Sequence, residues 1–326
     1  MKLKFTNYLL QVKSAAILFC LFFSVAGFTS VAQTASSCFI GGINVKNILN
    51  YHMVFTNGSV DANWQSASKG FIGNVAIDGL QANERTSGSF AYAGTISTND
   101  ASLSAWQNIV NNNIGQAFSS LNQTSLLAQL ETNLNSVFSQ INALPVTPTY
   151  NGVPSSSLNG LNTQNGIAQT IVINITSGFT ISSQINITGD ANDIFILRWD
   201  EDMNPTNGYQ GKVKFQSGGA IVPLGALKPS NFLNVAGDIG SSGGGSTPAL
   251  PYPQGPRYNN GTGALITNGD DFSGGGFFTG YWFTTGDPVS GETSSLSNAI
   301  FVGGWYSTTN KFSMTSGTSG VYVAPL

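Results

Sequence analysis

The sequence predicts a mainly β chain: an irregular right-handed β-solenoid (β-helix) with a single long α-helix packed along its side. Three observations predict it. Short alternating apolar and polar runs recur along the chain and stop at Gly, Asn or Pro, the punctuation expected of short strands. One stretch, residues 98–144, instead carries apolar residues at helical spacing. Charged residues make up 8% of the 326 residues while glycines number 39, so each strand supplies few inward side chains and little outward charge. Strands of that kind bury a core by stacking, coil on coil. A β-sandwich is the competing architecture. The helix argues against it, because one helix along a solenoid flank explains why so long an apolar stripe occurs once, between two β regions.

The chain opens on a leader. Lys2, Lys4 and Lys13 flank the start of SAAILFCLFFSVAGF, an apolar run of signal-peptide length followed by the small residues Ser30 and Ala32. Residues 1–32 therefore read as a signal peptide and residues 33–326 as one solenoid domain. The run is short for a membrane span, and no second long apolar run follows. Removing the leader takes three of the 12 basic residues and none of the 15 acidic ones, so the net charge moves from −3 to −6. That balance gives no footing for nucleic acid or anionic lipid. Cys20 leaves with the leader, so Cys38 stands alone and no intramolecular disulfide is expected. The expected product is a secreted, extracellular monomer with no membrane insertion, and the ending YVAPL offers no evident sorting domain or anchor.

Residues 39–97 read as short strands and turns. Asn57-Gly58 is a hairpin-type turn signal, and GFIGNVAIDG places Phe71, Gly73, Val75 and Ile77 along one side of a strand. In 98–144 the helical stripe runs through Leu103, Trp106, Ile109, Val110, Ile114, Phe118 and Leu121, then Leu127, Leu130, Leu134, Val137, Phe138 and Ile141. Thr98 or Asn99 caps its start, Pro145 stops it, and a break fits around Asn122–Thr124. A linker rich in Pro, Gly, Asn and Ser covers 145–168. From Gln169 the chain returns to β: Ile171, Ile173 and Ile175 alternate with Val172 and Asn174, and Ile185 and Ile187 alternate with Asn186 and Thr188. DIFILRW is nearly continuous in apolar residues, as where both faces of a strand are covered. Residues 240–276 form a Gly/Pro-rich insertion. FFTGYWFTTG, NAIFVGGWYSTT and KFSMTSGTSGVYVAP supply the last strands.

This order of parts resembles the secreted microbial ice-binding proteins built as a discontinuous β-solenoid with one long flanking helix. The pieces that carry the resemblance are FIGNVAIDG, GTISTNDASLSAWQNIVNNNIGQAF, INITGDANDIFILRW, PSNFLNVAGDI, FFTGYWFTT and NAIFVGGWYS, which together reach over about residues 39–323. Two features depart from the family's pattern: the insertion 240–276 is longer, and Trp282, Trp305 and Tyr306 interrupt the Thr ladders. Related choice-of-anchor-type surface solenoids share this texture. The resemblance implies antifreeze activity, or inhibition of ice recrystallisation, with an ice crystal surface as the partner. The alternative is a non-catalytic cell-surface or matrix adhesion module that binds glycan through Trp64, Trp282, Trp305 and Tyr306.

The chemistry-bearing residues fit neither an enzyme nor a metal protein. In GDANDIFILRWDED, Asp190, Asp193, Asp200, Glu201 and Asp202 are oxygen ligands of the type calcium takes, but their spacing matches no calcium loop. Asp190 and Asp193 are expected to shape a turn. His52 is the only histidine, too little for a triad or a zinc site, and is expected at the surface or at a strand end. Glu84, Glu131, Glu201 and Glu292 are too scattered for a glycosidase pair. The Gly runs lack the Gly-Lys-Ser/Thr of a phosphate loop. No catalytic residue, metal or cofactor is expected. The ice-binding candidates are the residues expected to face outward: Thr180, Ser182, Asn186, Thr188, Thr284, Thr285, Thr308, Ser313, Thr315 and Thr318. Thr and Ser also favour exposed strand positions without any function, so only co-planarity distinguishes a working surface.

Overall fold

The computed structural model describes residues 39–45, 47–56, 61–65, 70–78, 85–87, 91–99, 116–204, 209–242, 257–259, 264–266, 276–285, 294–297, 299–308, 311–315 and 319–322. The expected leader, Cys38, the Asn57-Gly58 turn, Thr318 and most of the insertion 240–276 lie outside them. The described residues all belong to the unit Ser37–Leu326.

Each coil of the chain lays one strand on each of three faces. Thr170–Ser177 lies on the first face, Thr180–Ile181 on the second and Gln184–Gly189 on the third. The next coil repeats the pattern with Ile194–Trp199, Lys212–Gln216 and Gly219–Gly225. The coils pair in parallel: Ile171 with Phe195, Thr180 with Lys214, Ile185 with Ile221. Two later strands, Gly276–Thr284 and Ala299–Ser307, begin on the third face, where they pair with Gly219–Gly225 and each other, and end on the first. They turn the corner at Gly280 and Gly303, which stack in register with φ of +86° and +143°. A Cβ on Gly303 would lie 2.1 Å from the Gly280 carbonyl oxygen, so the corner needs glycine for both conformation and space.

The stack does not follow chain order. The coil latest in sequence, Ala299–Ser307, Lys311–Thr315 and Ser319–Tyr322, is followed along the stack by the earliest strands, Met53–Phe55, Asp61–Gln65 and Gly70–Ile72. The pairings are Trp305 with Met53, Lys311 with Asp61 and Gly320 with Phe71. Val75–Ile77, Arg85–Ser87 and Ala91–Thr98 continue the stack, and Gln116–Ser120 pairs onto Ala91–Thr98. The chain then crosses from one end to the other, to Asn151–Pro154 beside Thr170–Ser177. The helix Thr124–Ala143 makes this crossing. Its 20 residues reach about 30 Å at 1.5 Å per residue, or roughly six strand spacings of ~4.8 Å.

The helix is shorter than the periodicity predicts. Residues Gln116–Ser120 form a strand, not helix, and Thr98 ends a strand instead of capping a helix. Residues 100–115 lie outside the described ones. The helix starts just after Asn122, whose φ of +57° breaks any helical path. Phe118 fits a helical stripe by spacing, yet a short apolar run serves a strand as well, and the edge of the stack supplies backbone partners. Likewise GFIGNVAIDG is two strands, Gly70–Ile72 and Val75–Ile77, separated by a bend at Gly73 with φ of +133°.

Two apolar layers follow from this geometry. Inside the stack, Ile171, Ile173, Ile175, Phe195, Leu197, Trp199, Phe232, Phe278, Trp282, Phe301 and Trp305 share one buried cluster. Parallel register sets like on like: ring centroids are 5.1 Å apart for Phe195 and Phe232 and 4.6 Å for Phe278 and Phe301, and Trp199 and Trp282, two strands apart and offset in register, stack at 6.1 Å. The second layer lies outside the first face. Val54, Val172, Ile196, Leu233, Val235, Tyr281, Phe283 and Tyr306 meet Leu127, Leu130, Leu134, Val137, Phe138 and Ile141 of the helix, together with Ile40, Ile43, Ile48 and Leu49 before the first coil. The first face is thus buried on both sides, which is why DIFILRW does not alternate.

Candidate functional site

The acidic residues resolve first. Asp193 is fully buried, and its carboxylate accepts from the Asp190 amide at 3.0 Å, the Thr163 hydroxyl at 2.6 Å and the Gln169 amide at 3.1 Å. The Asp190 carboxylate accepts from the amides of Asn165 and Gly166 at 2.9 and 2.7 Å. Both residues are turn-formers, as the sequence predicted, and they tie the loop before Thr170 to the next coil. Asp200 accepts from the Gln210 amide at 3.2 Å; burial raises its carboxyl above the usual range and that hydrogen bond partly offsets the rise. Glu201 and Asp202 are exposed. Among the described residues no three His, Cys, Asp or Glu converge as metal ligands would.

His52 does stand at a strand end, just before Met53–Phe55, but it is not at the surface: it is fully buried. Its Nδ1 lies 3.0 Å from the Gly303 carbonyl, so Nδ1 carries the proton, and Nε2 has no partner. Burial pulls its pKa down to about 4, with the Gly303 bond acting the other way. Its backbone accepts from the Trp305 amide at 2.8 Å and donates to the Asn74 carbonyl at 2.7 Å. The imidazole therefore sits at the seam where the early strands stack on the late ones.

The nine candidates among the described residues do not form one row. Thr180 is exposed on the second face beside Lys214. Ser182 is exposed between strands, at the corner. Asn186 and Thr188 are half-buried on the third face, in register with Val222 and Leu224. Thr284 points inward, contrary to expectation. It is fully buried, and its hydroxyl bonds Ser307 Oγ at 2.7 Å and the Trp305 indole N–H at 2.9 Å. Alternation explains this: Phe278 and Trp282 of the same strand face the interior, and Thr284 shares their parity. Thr285 and Thr308 are half-buried at the corner after their strands, with the Thr308 hydroxyl on the Thr285 carbonyl at 3.2 Å. Ser313 and Thr315 lie in the second-face strand Lys311–Thr315.

Trp282, Trp305 and Tyr306 are all fully buried. The first two fill the stack and the third lies under the helix, so none of them is available as a glycan contact.

The three faces differ in what they leave open. Helix and N-terminal residues cover the first. On the third, Ala220, Val222, Phe277, Ile300 and Val302 alternate with inward Ile221, Phe278 and Phe301 and so point outward, yet all five are buried. The second face runs in the order Thr180–Ile181, Lys212–Gln216, Asp238–Ser242, Ser294–Ser297, Lys311–Thr315, Asp61–Gln65 and Arg85–Ser87. Val213, Phe215, Ile239 and Leu296 face its core. Lys212 and Lys214 are exposed, and Gln216, Asp238, Gly240, Ser242 and Ser297 are half-buried on the outer side. Charged residues occur near the Thr180 end (Lys212, Lys214 and Asp238) and again in the strands of Lys311, Asp61 and Arg85, and small uncharged residues lie between them and alongside. Gln216 pairs with Ser242, Ser295 with Ser313, Ser297 with Thr315, and Ser313 with Asn63. Sequence reasoning missed Gly240, Ser242, Ser297 and Asn63. The signal was present in DIGSS and SSLS, where one apolar residue separates small polar ones.

No protein-family model matches the chain, and no curated protein does. Among solved structures, a glycosylated ice-binding protein from an Arctic yeast is 12% identical, covering 90% of this chain and 98% of its own at a TM-score of 0.45. An ice-binding protein domain of Shewanella frigidimarina is 11% identical over 89% of this chain and 100% of its own, with a TM-score of 0.47. An ice-binding protein from the Antarctic ascomycete Antarctomyces psychrotrophicus is 10% identical, with 83% and 97% covered and a TM-score of 0.38. This chain is thus similar, at low identity and with TM-scores below 0.5, to solved ice-binding proteins.

Proposed function

We propose that this protein is exported and binds ice through the middle of its second face, with Ser242, Ser297, Ser313, Thr315 and Asn63 at the centre. The observation that carries the reading is the register: parallel strands stacked without offset, carrying small uncharged residues at neighbouring positions. Such a ladder repeats at about 4.8 Å between strands and about 6.7 Å between alternate residues along a strand. Hydroxyls and methyls on that grid order a water layer, where a charge would hold its own hydration shell. The buried aromatic stacks and the doubly covered first face support rigidity, so little entropy is lost on binding. Export rests on the basic and apolar leader in residues 1–32. Ice is also what the solved structures above are named for.

The test is thermal hysteresis and ice-recrystallisation inhibition with the purified protein. Thr315→Tyr on the second face is expected to remove most of the activity, and Asn186→Tyr on the third to leave it. Unaltered ice growth with the wild type, or full activity in Thr315→Tyr, refutes the reading.

A further inference from the structure

We propose that the ice contact extends along one register row of the second face, the row beside the third face: Gln216, Ser242, Ser297, Thr315, Gln65 and Ser87. The row rests on the ice-binding reading and adds Gln216, Gln65 and Ser87 to it. Side chains alternate in and out along a strand, and Val213, Phe215, Ile239 and Leu296 are inward, which leaves three outward rows running along the stack. In the first, Lys212 pairs with Asp238 and Lys311 with Asp61. In the second, Lys214 pairs with Gly240, Ser295 with Ser313, Ser313 with Asn63, and Asn63 with Arg85. In the third, Gln216 pairs with Ser242, Ser297 with Thr315, and Gln65 with Ser87. The pairs Ser241 with Leu296 and Met314 with Trp64 carry this third row from Ser242 to Ser297 and from Thr315 to Gln65.

Every charged residue in the described strands of this face thus falls in the first or second row. In the first, opposite signs sit directly across the strand gap, a favourable pairing for a sheet surface. Lys212 and Lys214 are exposed, whereas Gln216, Ser242 and Ser297 are half-buried. An ice front that meets an ammonium or a carboxylate must strip its hydration, which is costly for a full charge; the third row has no charge to strip. Lys214 and Arg85 bound the second row, so it is uncharged only from the strand Asp238–Ser242 to the strand Asp61–Gln65, three spacings of ~4.8 Å or about 14 Å. The third row is uncharged from Lys212–Gln216 to Arg85–Ser87, five spacings or about 24 Å. The centre of the face therefore offers a grid of two rows, and beyond it only the repeat along the stack continues. What that row fits is a single file of ordered water at the strand spacing.

Gln65→Lys and Gln216→Lys nearly keep side-chain length and add one charge at either end of the third row. Gln65→Ser places there the residue that the row carries at Ser242 and Ser297. Lys212→Gln and Asp61→Asn each remove a charge from the first row. The full chain and these variants are compared by thermal hysteresis and ice-recrystallisation inhibition, with circular dichroism to check the fold; Ser87→Lys replaces either lysine variant that does not fold. Both lysine variants are expected to lose most of the wild-type hysteresis, and the other three to keep it. If Thr315→Tyr abolishes activity while Gln65→Lys and Gln216→Lys stay fully active, the row is wrong and the ice-binding reading stands. A loss in Gln65→Ser, Lys212→Gln or Asp61→Asn also overturns the row, since charge in the third row would then not be what decides. A wild type without effect on ice removes both.

Discussion

Acid should loosen this protein at one known place. His52 is fully buried with a bare Nε2, and burial holds its pKa at about 4 instead of the ordinary 6.5. The folded state therefore resists the proton that the unfolded chain accepts. Stability is complete above the unfolded value, falls as the pH drops from about 6.5 to about 4, and levels off below, where both states are protonated. A depression of that size corresponds to about 3 kcal/mol at ~1.4 kcal/mol per pH unit, a large share of a net stability of roughly 5–15 kcal/mol. Asp200 acts in the opposite sense, because its raised pKa makes the folded state take up a proton more readily than the unfolded chain. Its effect must be separated, and His52→Asn does so: the amide keeps a donor towards the Gly303 carbonyl and does not titrate. Urea unfolding of both proteins from about pH 7 to about pH 4 reads the difference. The wild type should lose about 3 kcal/mol more than the variant over that window. Parallel pH profiles would refute the reasoning and mean that the imidazole is solvated in the folded protein.

Other consequences follow from single side chains. Gly303→Ala puts a Cβ 2.1 Å from the Gly280 carbonyl at a φ of +143°, so the corner must shift; little soluble folded protein is expected, scored by circular dichroism and yield. Leu134→Ala empties a fully buried site between helix and first face and should cost about 2–5 kcal/mol in urea unfolding. Asp193→Ala strands three donors, the Thr163 hydroxyl and the amides of Gln169 and Asp190; at about 1–3 kcal/mol for each buried donor left unpaired, a loss of at least ~3 kcal/mol is expected, with faster hydrogen exchange at both amides.

The solenoid was legible because its strands announce themselves individually. Ile171, Ile173 and Ile175 point one way and Val172 and Asn174 the other, and that alternation survives any change of neighbours. The helix was legible over Leu127 to Ile141, where one stripe runs through most of a helix of 20 residues, but not at its expected start, where tertiary pairing to Ala91–Thr98 decides for strand over a compatible helical spacing. The candidate surface was the least legible part. Whether a Thr faces in or out depends on strand parity, and Thr284 differs from Thr285 only by one position. Which strands lie side by side is worse still: Ser313 has Asn63 as its neighbour, 250 positions away, and no local pattern carries that information. His52 was misplaced for the same reason, since its cover comes from Gly303 and Phe71.

The split order of the stack and the helix are two sides of one constraint. Because the early strands pair onto the late ones, the chain must cross from one end of the stack to the other between Ser120 and Asn151. Only an element that satisfies its own backbone hydrogen bonds crosses outside a sheet without exposing or stranding them. An α-helix does so, and its apolar stripe then covers the outer side of every strand it passes. The first face is sealed as a result. Ala220, Val222, Phe277, Ile300 and Val302 are buried on the third face as well, while Lys212 and Lys214 of the second face and Gln184 and Leu224 of the third meet solvent. Sliding one coil against the next would shear the helix contacts of Val54, Leu233, Val235 and Phe283 together, since one rigid rod holds strands from both sides of the seam. The regular spacing of the strands that carry Ser242, Ser297, Thr315 and Asn63 is therefore maintained from another face of the stack, by the packing of the helix on the first.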